Sequence, residues 1–173
     1  MKKLLLTVLP IVALLQACSS APPDAVEPTP LASFEKAFDV DRLWHRDAGF
    51  GNRRGSLMLP PVVTERFVYT VDVRGRLQCY ERETGKKQWR RDLDLRVGGM
   101  TVGYGMIVLG TRDGDALALD ADSGEEQWRA RMSSEVLAAP ALTGDKVLVQ
   151  TIDGRLHALQ ADWPNFSEAQ PPS

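Results

Sequence analysis

Short apolar runs recur along the chain and are separated by polar turns. Three of these runs are rich in residues that favour β-strands, at residues 67–69, 106–108 and 147–149. A turn that ends in glycine follows each run, and a second short strand comes after the turn. No segment has the apolar spacing of an amphipathic helix. The pattern therefore predicts an all-β chain of short strands and hairpins.

The pattern of strands and turns repeats at a fixed interval. Gly75, Gly114 and Gly154 end equivalent turns and lie 39 and 40 positions apart, and Trp89 precedes Trp128 by 39 positions. A repeat of about 40 residues with four short strands is typical of a β-propeller blade. The three glycines are the predicted blade turns, because glycine accepts a positive φ. The predicted blades lie near residues 56–95, 96–134 and 135–160.

Two tryptophans occupy the same place in successive repeats. Trp89 and Trp128 each lie four residues past a glycine, Gly85 or Gly124, that ends another turn of the blade. An indole at a fixed blade position is expected to dock between neighbouring blades rather than to bind a ligand. We therefore predict that these tryptophans and glycines hold the blades together.

The first 17 residues have the pattern of a signal peptide. Lys2 and Lys3 precede an apolar run over residues 4–15, which is too short for a membrane-spanning helix of about 20 residues. The run ends in the sequence Leu-Gln-Ala-Cys, which resembles the lipobox of bacterial lipoproteins. The resemblance implies cleavage before Cys18 and lipid, including palmitate, on that residue. The alternative is an ordinary secretory signal that happens to contain a cysteine.

Residues 18–38 are predicted to link the lipid to the folded domain. Four prolines lie between positions 21 and 30, which favours an extended tether. Ser19 follows the cysteine, and a residue other than Asp there resembles the signal for transport to the outer membrane. The predicted location is therefore the outer membrane, lipid-anchored on the periplasmic side.

Charge and cysteine content exclude several other classes of protein. The formal net charge is −2, so the chain has no electrostatic basis for binding nucleic acid. After processing, Cys79 is the one remaining thiol and has no partner for a disulfide. It aligns with Ala118 and Ala158 in the repeat, so we expect it to be a small buried packing residue.

No constellation of residues predicts catalysis, a metal or a cofactor. His45 and His157 are isolated in the sequence, without a cysteine or histidine at ligand spacing. The glycines at 98–99 and 103–105 are interpreted as turns, because no helix follows them to hold a phosphate. Four aspartates are clustered, but at positions where turns and strand ends favour them: Asp113, Asp115, Asp120 and Asp122.

The stretches at residues 83–89 and 120–128 resemble the tryptophan-docking repeat of pyrroloquinoline-quinone-type (PQQ-like) propellers. Together with the lipobox and tether, they resemble the N-terminal part of the BamB family, the lipoproteins of the outer-membrane β-barrel assembly machinery. The resemblance implies a ring of eight blades, of which about three fit here. It also implies that Leu43–Arg46 is a strand that closes the ring, with Trp44 as its docking tryptophan.

The resemblance implies a non-catalytic scaffold that aids assembly and insertion of β-barrel proteins. The implied partners are BamA, other barrel-assembly subunits, unfolded outer-membrane proteins and the membrane itself through the lipid. The family's contacts with BamA come largely from later blades, so no contact residue is assigned. Two alternatives remain open: a fragment of a quinoprotein dehydrogenase, and a different lipoprotein with a binding propeller.

Residues 161–173 depart from the repeat. They lack the expected Thr-Gly turn and docking tryptophan and are polar with several prolines. We interpret them as a divergent, disordered tail. The third blade would then lack its outer strand, which predicts a truncated or frame-shifted gene product.

Overall fold

The computed structural model describes residues 38–50 and 59–161. The predicted signal peptide, Cys18, most of the tether and residues 162–173 lie outside this part. The chain divides into two compact units, Met1–Val40 and Asp41–Ser173, and the strands found among the described residues belong to the second. In the described part of the chain there is no helix of a length and apolarity that would cross a membrane.

Eleven strands form three antiparallel sheets in the described residues, and each sheet follows the order of the chain. Blade 1 contains β1 (Val62–Val63), β2 (Phe67–Val71), β3 (Arg76–Glu81) and β4 (Lys87–Asp92). Blade 2 contains β5 (Val97–Gly103), β6 (Met106–Thr111), β7 (Asp115–Asp120) and β8 (Glu126–Arg131). Blade 3 contains β9 (Ala141–Thr143), β10 (Lys146–Gln150) and β11 (Leu156–Gln160). The predicted all-β fold is confirmed.

Blades 1 and 2 have the same register at their outer strands. Cys79 of β3 is opposite Trp89 of β4, and Ala118 of β7 is opposite Trp128 of β8. A register shift follows immediately after Cys79 and after Ala118. The two sheets therefore share a backbone irregularity as well as a strand order, which places their tryptophans equivalently.

Two apolar clusters fill the spaces between the blades. The first joins blade 1 to blade 2 and includes Tyr69, Leu77 and Cys79 against Leu109 and Leu117. The second joins blade 2 to blade 3. Its buried members include Val108, Ala116, Ala118, Val136, Val147 and Val149. The strands β5, β6 and β7 of blade 2 therefore bury both faces, because one face of the sheet contacts each neighbour, whereas the outer strand β8 is largely exposed.

The prediction of a turn at Gly98 and Gly99 is wrong. Both residues lie within β5, where the register shifts between Val97 and Gly99. A Cβ on Gly98 would lie 2.0 Å from the carbonyl oxygen of Val136, and one on Gly99 would lie 2.4 Å from the carbonyl carbon of Ala138. The glycines are there because the segment leading into blade 3 crosses this strand closely.

Neither end of the described part follows the predicted pattern completely. Residues 38–50 contain no strand, so the strand predicted at Leu43–Arg46 is absent; this segment is held by side chains and single hydrogen bonds, not by a ladder. At the other end, Ala161 is buried and donates its backbone N–H to the Asp145 carbonyl at 2.8 Å. Ala161, which follows β11 directly, therefore packs as part of blade 3.

Candidate functional site

Trp44 lies against the turn that joins β3 to β4. Gly85 of this turn has a φ of +66°, and a Cβ placed on it would lie 2.7 Å from Cδ2 of the Trp44 ring. The indole Nε1 donates a hydrogen bond to the Arg82 carbonyl at 2.8 Å. Arg46 adds a second bond from its Nε to the Gly85 carbonyl at 2.7 Å. Glycine is required here both for its backbone conformation and for the space that the ring occupies.

Trp89 has the equivalent position one blade further on. A Cβ on Gly124, whose φ is +71°, would lie 2.9 Å from Cζ3 of the Trp89 ring and 2.9 Å from Cγ of Arg91. The Trp89 ring is also 6.2 Å from the ring of Tyr69, at a tilt of 50°. The structure thus brings Trp44 to Gly85 and Trp89 to Gly124.

Trp128 lies on β8 and packs against the second apolar cluster. The repeat places the counterpart of Gly85 and Gly124 after Ala161, where the sequence contains no glycine. The structure therefore shows Trp128 itself at a position on β8 equivalent to that of Trp89 on β4.

The three predicted blade turns have the same backbone conformation, with φ of +83° at Gly75, +81° at Gly114 and +83° at Gly154. A Cβ on Gly75 would lie 2.9 Å from the backbone nitrogen of Leu95, and one on Gly114 would lie 3.0 Å from the Ser134 carbonyl oxygen. Around Gly154 nothing lies within 4 Å. In the first two blades, the linker to the next blade therefore passes directly over the turn.

The N-terminal segment, residues 41–50, covers one face of blade 1. The Tyr80 hydroxyl donates to the Asp47 carbonyl at 2.9 Å, and Nε2 of Gln78 lies 3.4 Å from the same oxygen. The Phe50 N–H donates to the buried Asp72 carboxylate at 2.9 Å. We call this contact between the N-terminal segment and blade 1 the polar junction.

The Phe50 ring adds a cationic contact to the polar junction. The guanidinium carbons of Arg74 and Arg76 lie 4.2 and 4.9 Å from its centroid. The Asp72 carboxylate also accepts the backbone N–H groups of both arginines, at 2.9 and 3.0 Å. Asp72 therefore fixes the blade turn and the N-terminal segment at the same time.

Cys79 lies on the opposite face of β3 from Tyr80, in the contact between blades 1 and 2 that we call the apolar junction. Its side chain is 1% exposed. Burial raises the pKa of the thiol from 9.0 to about 11. Burial, and then the neighbouring Cys79, also raise the pKa of Tyr69 above its ordinary value. The thiol is therefore a protonated packing group at neutral pH.

His157 has partners that the sequence did not indicate. Its Nε2 lies 3.0 Å from the Ser133 hydroxyl, which lies 3.2 Å from the Thr151 hydroxyl. Thr151 in turn donates to the Asp153 carboxylate, and this hydrogen bond lowers the pKa of Asp153. Ser133 belongs to the linker between blades 2 and 3, so the chain of hydrogen bonds ties the linker to blade 3.

Three of the four clustered aspartates have structural partners. Asp113 pairs with Arg96, and Asp115 pairs with Arg131 at 3.1 Å. Asp120 accepts hydrogen bonds from the backbone N–H and hydroxyl groups of Ser123 at 2.7 and 2.8 Å. Within residues 38–50 and 59–161, no group of three or more histidine, cysteine or acidic side chains is placed to hold a metal.

The family model and the related proteins that match this chain carry the same description. The family model described as outer membrane protein assembly factor BamB matches residues 36–163. A protein of that name from Xanthomonas campestris pv. campestris is 37% identical over 127 residues, which are 67% of this chain and 31% of that protein. The chain spans about a third of the length of such relatives.

Solved structures show the same architecture. The crystal structure of BamB from Moraxella catarrhalis superposes with a TM-score of 0.55 at 26% identity, covering 62% of this chain and 33% of that one. A quinohemoprotein alcohol dehydrogenase from Pseudomonas putida HK5 gives a TM-score of 0.54 at 20% identity, covering 60% of this chain and 19% of that one. The second likeness shows the fold alone.

Proposed function

We propose that this chain, which belongs to the family of the outer membrane protein assembly factor BamB, is a non-catalytic scaffold for assembling and inserting β-barrel proteins. Its proposed partners are BamA and other barrel-assembly subunits, together with unfolded outer-membrane proteins. The observation that carries the proposal is the family match over residues 36–163, a range that includes all three blades.

The use of the polar side chains supports a scaffold rather than an enzyme. Groups that often carry chemistry are bonded to the fold itself: Asp72 holds a turn, Asp120 holds another, and Ser133 links His157 to Thr151. Ser133 has no arrangement for nucleophilic catalysis, because the Asp153 carboxylate is bonded to a hydroxyl, whereas a catalytic triad needs it on the histidine.

The proposed scaffold is held together by its tryptophans. Trp44 on Gly85 and Trp89 on Gly124 are the proposed docking contacts, and Trp128 is the proposed equivalent for the following blade. Gly75, Gly114 and Gly154 are the proposed blade turns, and the linker to the next blade passes over the first two of them. This role is supported by the contacts at Gly85 and Gly124, where the indole rings of Trp44 and Trp89 occupy the space that a Cβ would need.

The proposed location is the periplasmic side of the outer membrane, with lipid on Cys18. Replacing Cys18 with Ala removes the thiol that forms the thioether to diacylglycerol. We expect the full chain to take up radioactive palmitate in cells and the Cys18→Ala variant to take up none. Cys79→Ala is the matched control and keeps its label. Label that persists on Cys18→Ala excludes the anchor.

The scaffold role is tested by capture from membranes. The full chain, tagged and expressed with its lipid, is cross-linked in cells and purified from detergent-solubilised outer membranes. We expect barrel-assembly subunits or unfolded barrel proteins among the captured species. If neither is captured, and pyrroloquinoline quinone added to the purified chain produces a new absorbance band, the quinoprotein alternative replaces the scaffold.

A further inference from the structure

Blade 3 lacks a strand at the position where blades 1 and 2 have their outer strands. In blade 1 the strand β3 pairs with β4, and in blade 2 the strand β7 pairs with β8. The equivalent strand of blade 3 is β11, and among the described residues it pairs with β10 alone. Leu156 and Ala158 of β11 are exposed, whereas their counterparts in β7, Ala116 and Ala118, are fully buried. Blade 3 therefore presents an open strand edge and uncovered apolar side chains.

The N-terminal segment has the sequence and the contacts of an outer strand. Residues 44–47 are Trp-His-Arg-Asp, and residues 89–92 of β4 are Trp-Arg-Arg-Asp. In β4 the tryptophan and the second arginine lie against Gly124, and in the N-terminal stretch the tryptophan and the arginine lie against Gly85. Within the part of the chain that the structure describes, this stretch pairs with no strand. It therefore occupies the place of the outer strand of a blade that would precede blade 1.

Blades 1 and 2 place opposite charges at one position of the ladder to the outer strand. Arg76 of β3 is opposite Asp92 of β4 and pairs with it at 3.2 Å. Asp115 of β7 is opposite Arg131 of β8 and pairs with it at 3.1 Å. In both blades the outer member of the pair lies three positions after the docking tryptophan. Opposite charges at facing positions favour one register of two antiparallel strands.

The same register can be applied to β11 and the N-terminal stretch. Ala158 is the blade 3 counterpart of the residues that face the docking tryptophans, so it would be opposite Trp44. Three positions further along the ladder, Arg155 would be opposite Asp47. Arg155 follows its blade turn directly, as Arg76 does in blade 1. The two unpaired elements therefore match in both the tryptophan position and the charge pair.

One copy of the chain does not bring these two elements together. Residues 44–47 lie on the side of blade 1 that faces away from blade 2. The strand β11 belongs to blade 3, which packs on the other side of blade 2. The two ends of the blade array thus carry an outer strand without its blade and a blade without its outer strand. Ends of this kind are complementary between copies, in a head-to-tail contact.

We propose that residues 44–47 of a second copy of this chain supply the outer strand of blade 3, with Asp47 of one copy opposite Arg155 of the other. The occupant is a second copy because the chain itself carries the stretch that matches β11 in sequence and charge. Two copies that exchange this strand at both ends combine their three described blades into six, within the range of about four to eight in closed propellers. The inference depends neither on the proposed scaffold role nor on the lipid anchor.

The test is a disulfide between two copies at the position of the charge pair. Two full chains with different affinity tags are co-expressed, one with Asp47→Cys and the other with Arg155→Cys, and the cells are treated with a mild oxidant. Facing residues of antiparallel strands have Cα atoms about 4.5–5.5 Å apart, a separation that a disulfide spans. We expect a species on a non-reducing gel that carries both tags and separates on reduction.

The matched control moves one cysteine two positions along the same stretch. His45→Cys with Arg155→Cys places the Cα atoms on a diagonal of about 7–8 Å, which a disulfide does not bridge without strain. We expect this pair to give at least about tenfold less of the doubly tagged species. The unsubstituted chain, which retains Cys18 and the buried Cys79, sets the background. A second measurement needs no new cysteine: the two tagged, unsubstituted chains should co-purify from detergent in which micelles far outnumber chains.

Equal yields from positions 45 and 47, or unsubstituted chains that do not co-purify, overturn the inference. A disulfide that forms only after residues 162–173 are removed shows that the end of the same chain covers β11, which also overturns it. A chain with both Asp47→Cys and Arg155→Cys should give a covalent dimer, and a disulfide within one copy would contradict the exchange. The capture of barrel-assembly subunits is a separate measurement, so the failure of this inference is distinguishable from a failure of the proposed function.

Discussion

Blade 1 packs against the N-terminal segment on one face and against blade 2 on the other. Its strand β3 contributes side chains to both the polar and the apolar junction. Cys79 and Tyr80 are consecutive residues of β3 and point to opposite faces. Cys79 contacts the apolar face of blade 2, where Leu109 and Leu117 are fully buried. Tyr80 instead donates to a carbonyl of the N-terminal segment. A sheet thus buries an apolar face against another sheet, but hydrogen-bonding groups against an irregular segment.

The residues of the two blades reflect this difference directly. In the repeat, Gln78 and Tyr80 of blade 1 align with Leu117 and Leu119 of blade 2. All four side chains are at most 2% exposed. Burial alone therefore does not decide their chemistry. The structure of the covering segment decides whether these buried side chains are polar or apolar, because an irregular backbone has polar groups that need hydrogen-bond partners.

The largest expected effect is a difference in unfolding free energy between variants that lack the tryptophan of one junction or of the other. Trp89→Ala removes a ring from between two blades and should cost about 3–5 kcal/mol of unfolding free energy, as large aromatic truncations do. Trp44→Ala should cost only about 1–2 kcal/mol, because it removes one hydrogen bond and a half-buried ring that, unlike that of Trp89, does not pack on the apolar cluster. Denaturant titration of the two variants gives both values. Equal costs would contradict the distinction between the junctions.

A smaller effect is expected from pH at the apolar junction. Because the folded-state pKa of Cys79 is raised from 9.0 to about 11, its contribution to stability is complete below pH 9 and is lost between pH 9 and 11. The loss should reach at most about 3 kcal/mol. Tyr69, whose pKa is also raised, adds to the fall at higher pH.

Cys79→Ala is the control, since blade 2 has Ala118 at the equivalent position. Its unfolding free energy should fall less steeply over the same interval, because the thiol no longer contributes, whereas Tyr69 and Tyr80, whose pKa values are raised by burial, still do. The measurement is a series of denaturant titrations from pH 7 to about pH 11, the upper limit of the thiol titration. Superimposable curves for the two chains would show that the thiol is not held in its protonated form.

The smallest effect belongs to the polar junction. Tyr80→Phe removes the hydroxyl that donates to the Asp47 carbonyl and should cost about 1 kcal/mol. Amide hydrogen exchange should become faster in residues 41–50 and stay unchanged in β6 and β7, which serve as the internal control. A uniform change across both blades would mean that the N-terminal segment and blade 1 open together.

The repeat predicted the fold because its signals are local. Apolar pairs and triplets indicated β2, β6 and β10, and the glycines after them indicated the turns. The turn predicted at Gly98 and Gly99 was wrong because the cause is distant: both glycines leave room for the chain at Val136–Ala139. The sequence alone does not distinguish a glycine pair that forms a turn from one that leaves room for a second segment of backbone.

Residues that connect blades were also beyond local reasoning. His157 was predicted to be isolated, yet Ser133, its partner, lies on the linker before blade 3. Trp44 was expected on a strand, whereas the segment around it is irregular. In both cases the contact joins positions that are far apart in the chain. The spacing of residue types does not indicate which linker crosses which turn.

The contact of Asp47 with blade 1 has a consequence for how the chain tolerates change. Tyr80 and Gln78 both reach the main-chain oxygen of Asp47, and Asp72 accepts the main-chain N–H of Phe50. Any residue supplies such an oxygen. Blade 1 thus recognises the main-chain path of this segment. The Asp47 side chain helps to hold that path, because its carboxylate accepts the Gly49 N–H at 3.0 Å, so position 47 is restricted to residues that can form this turn.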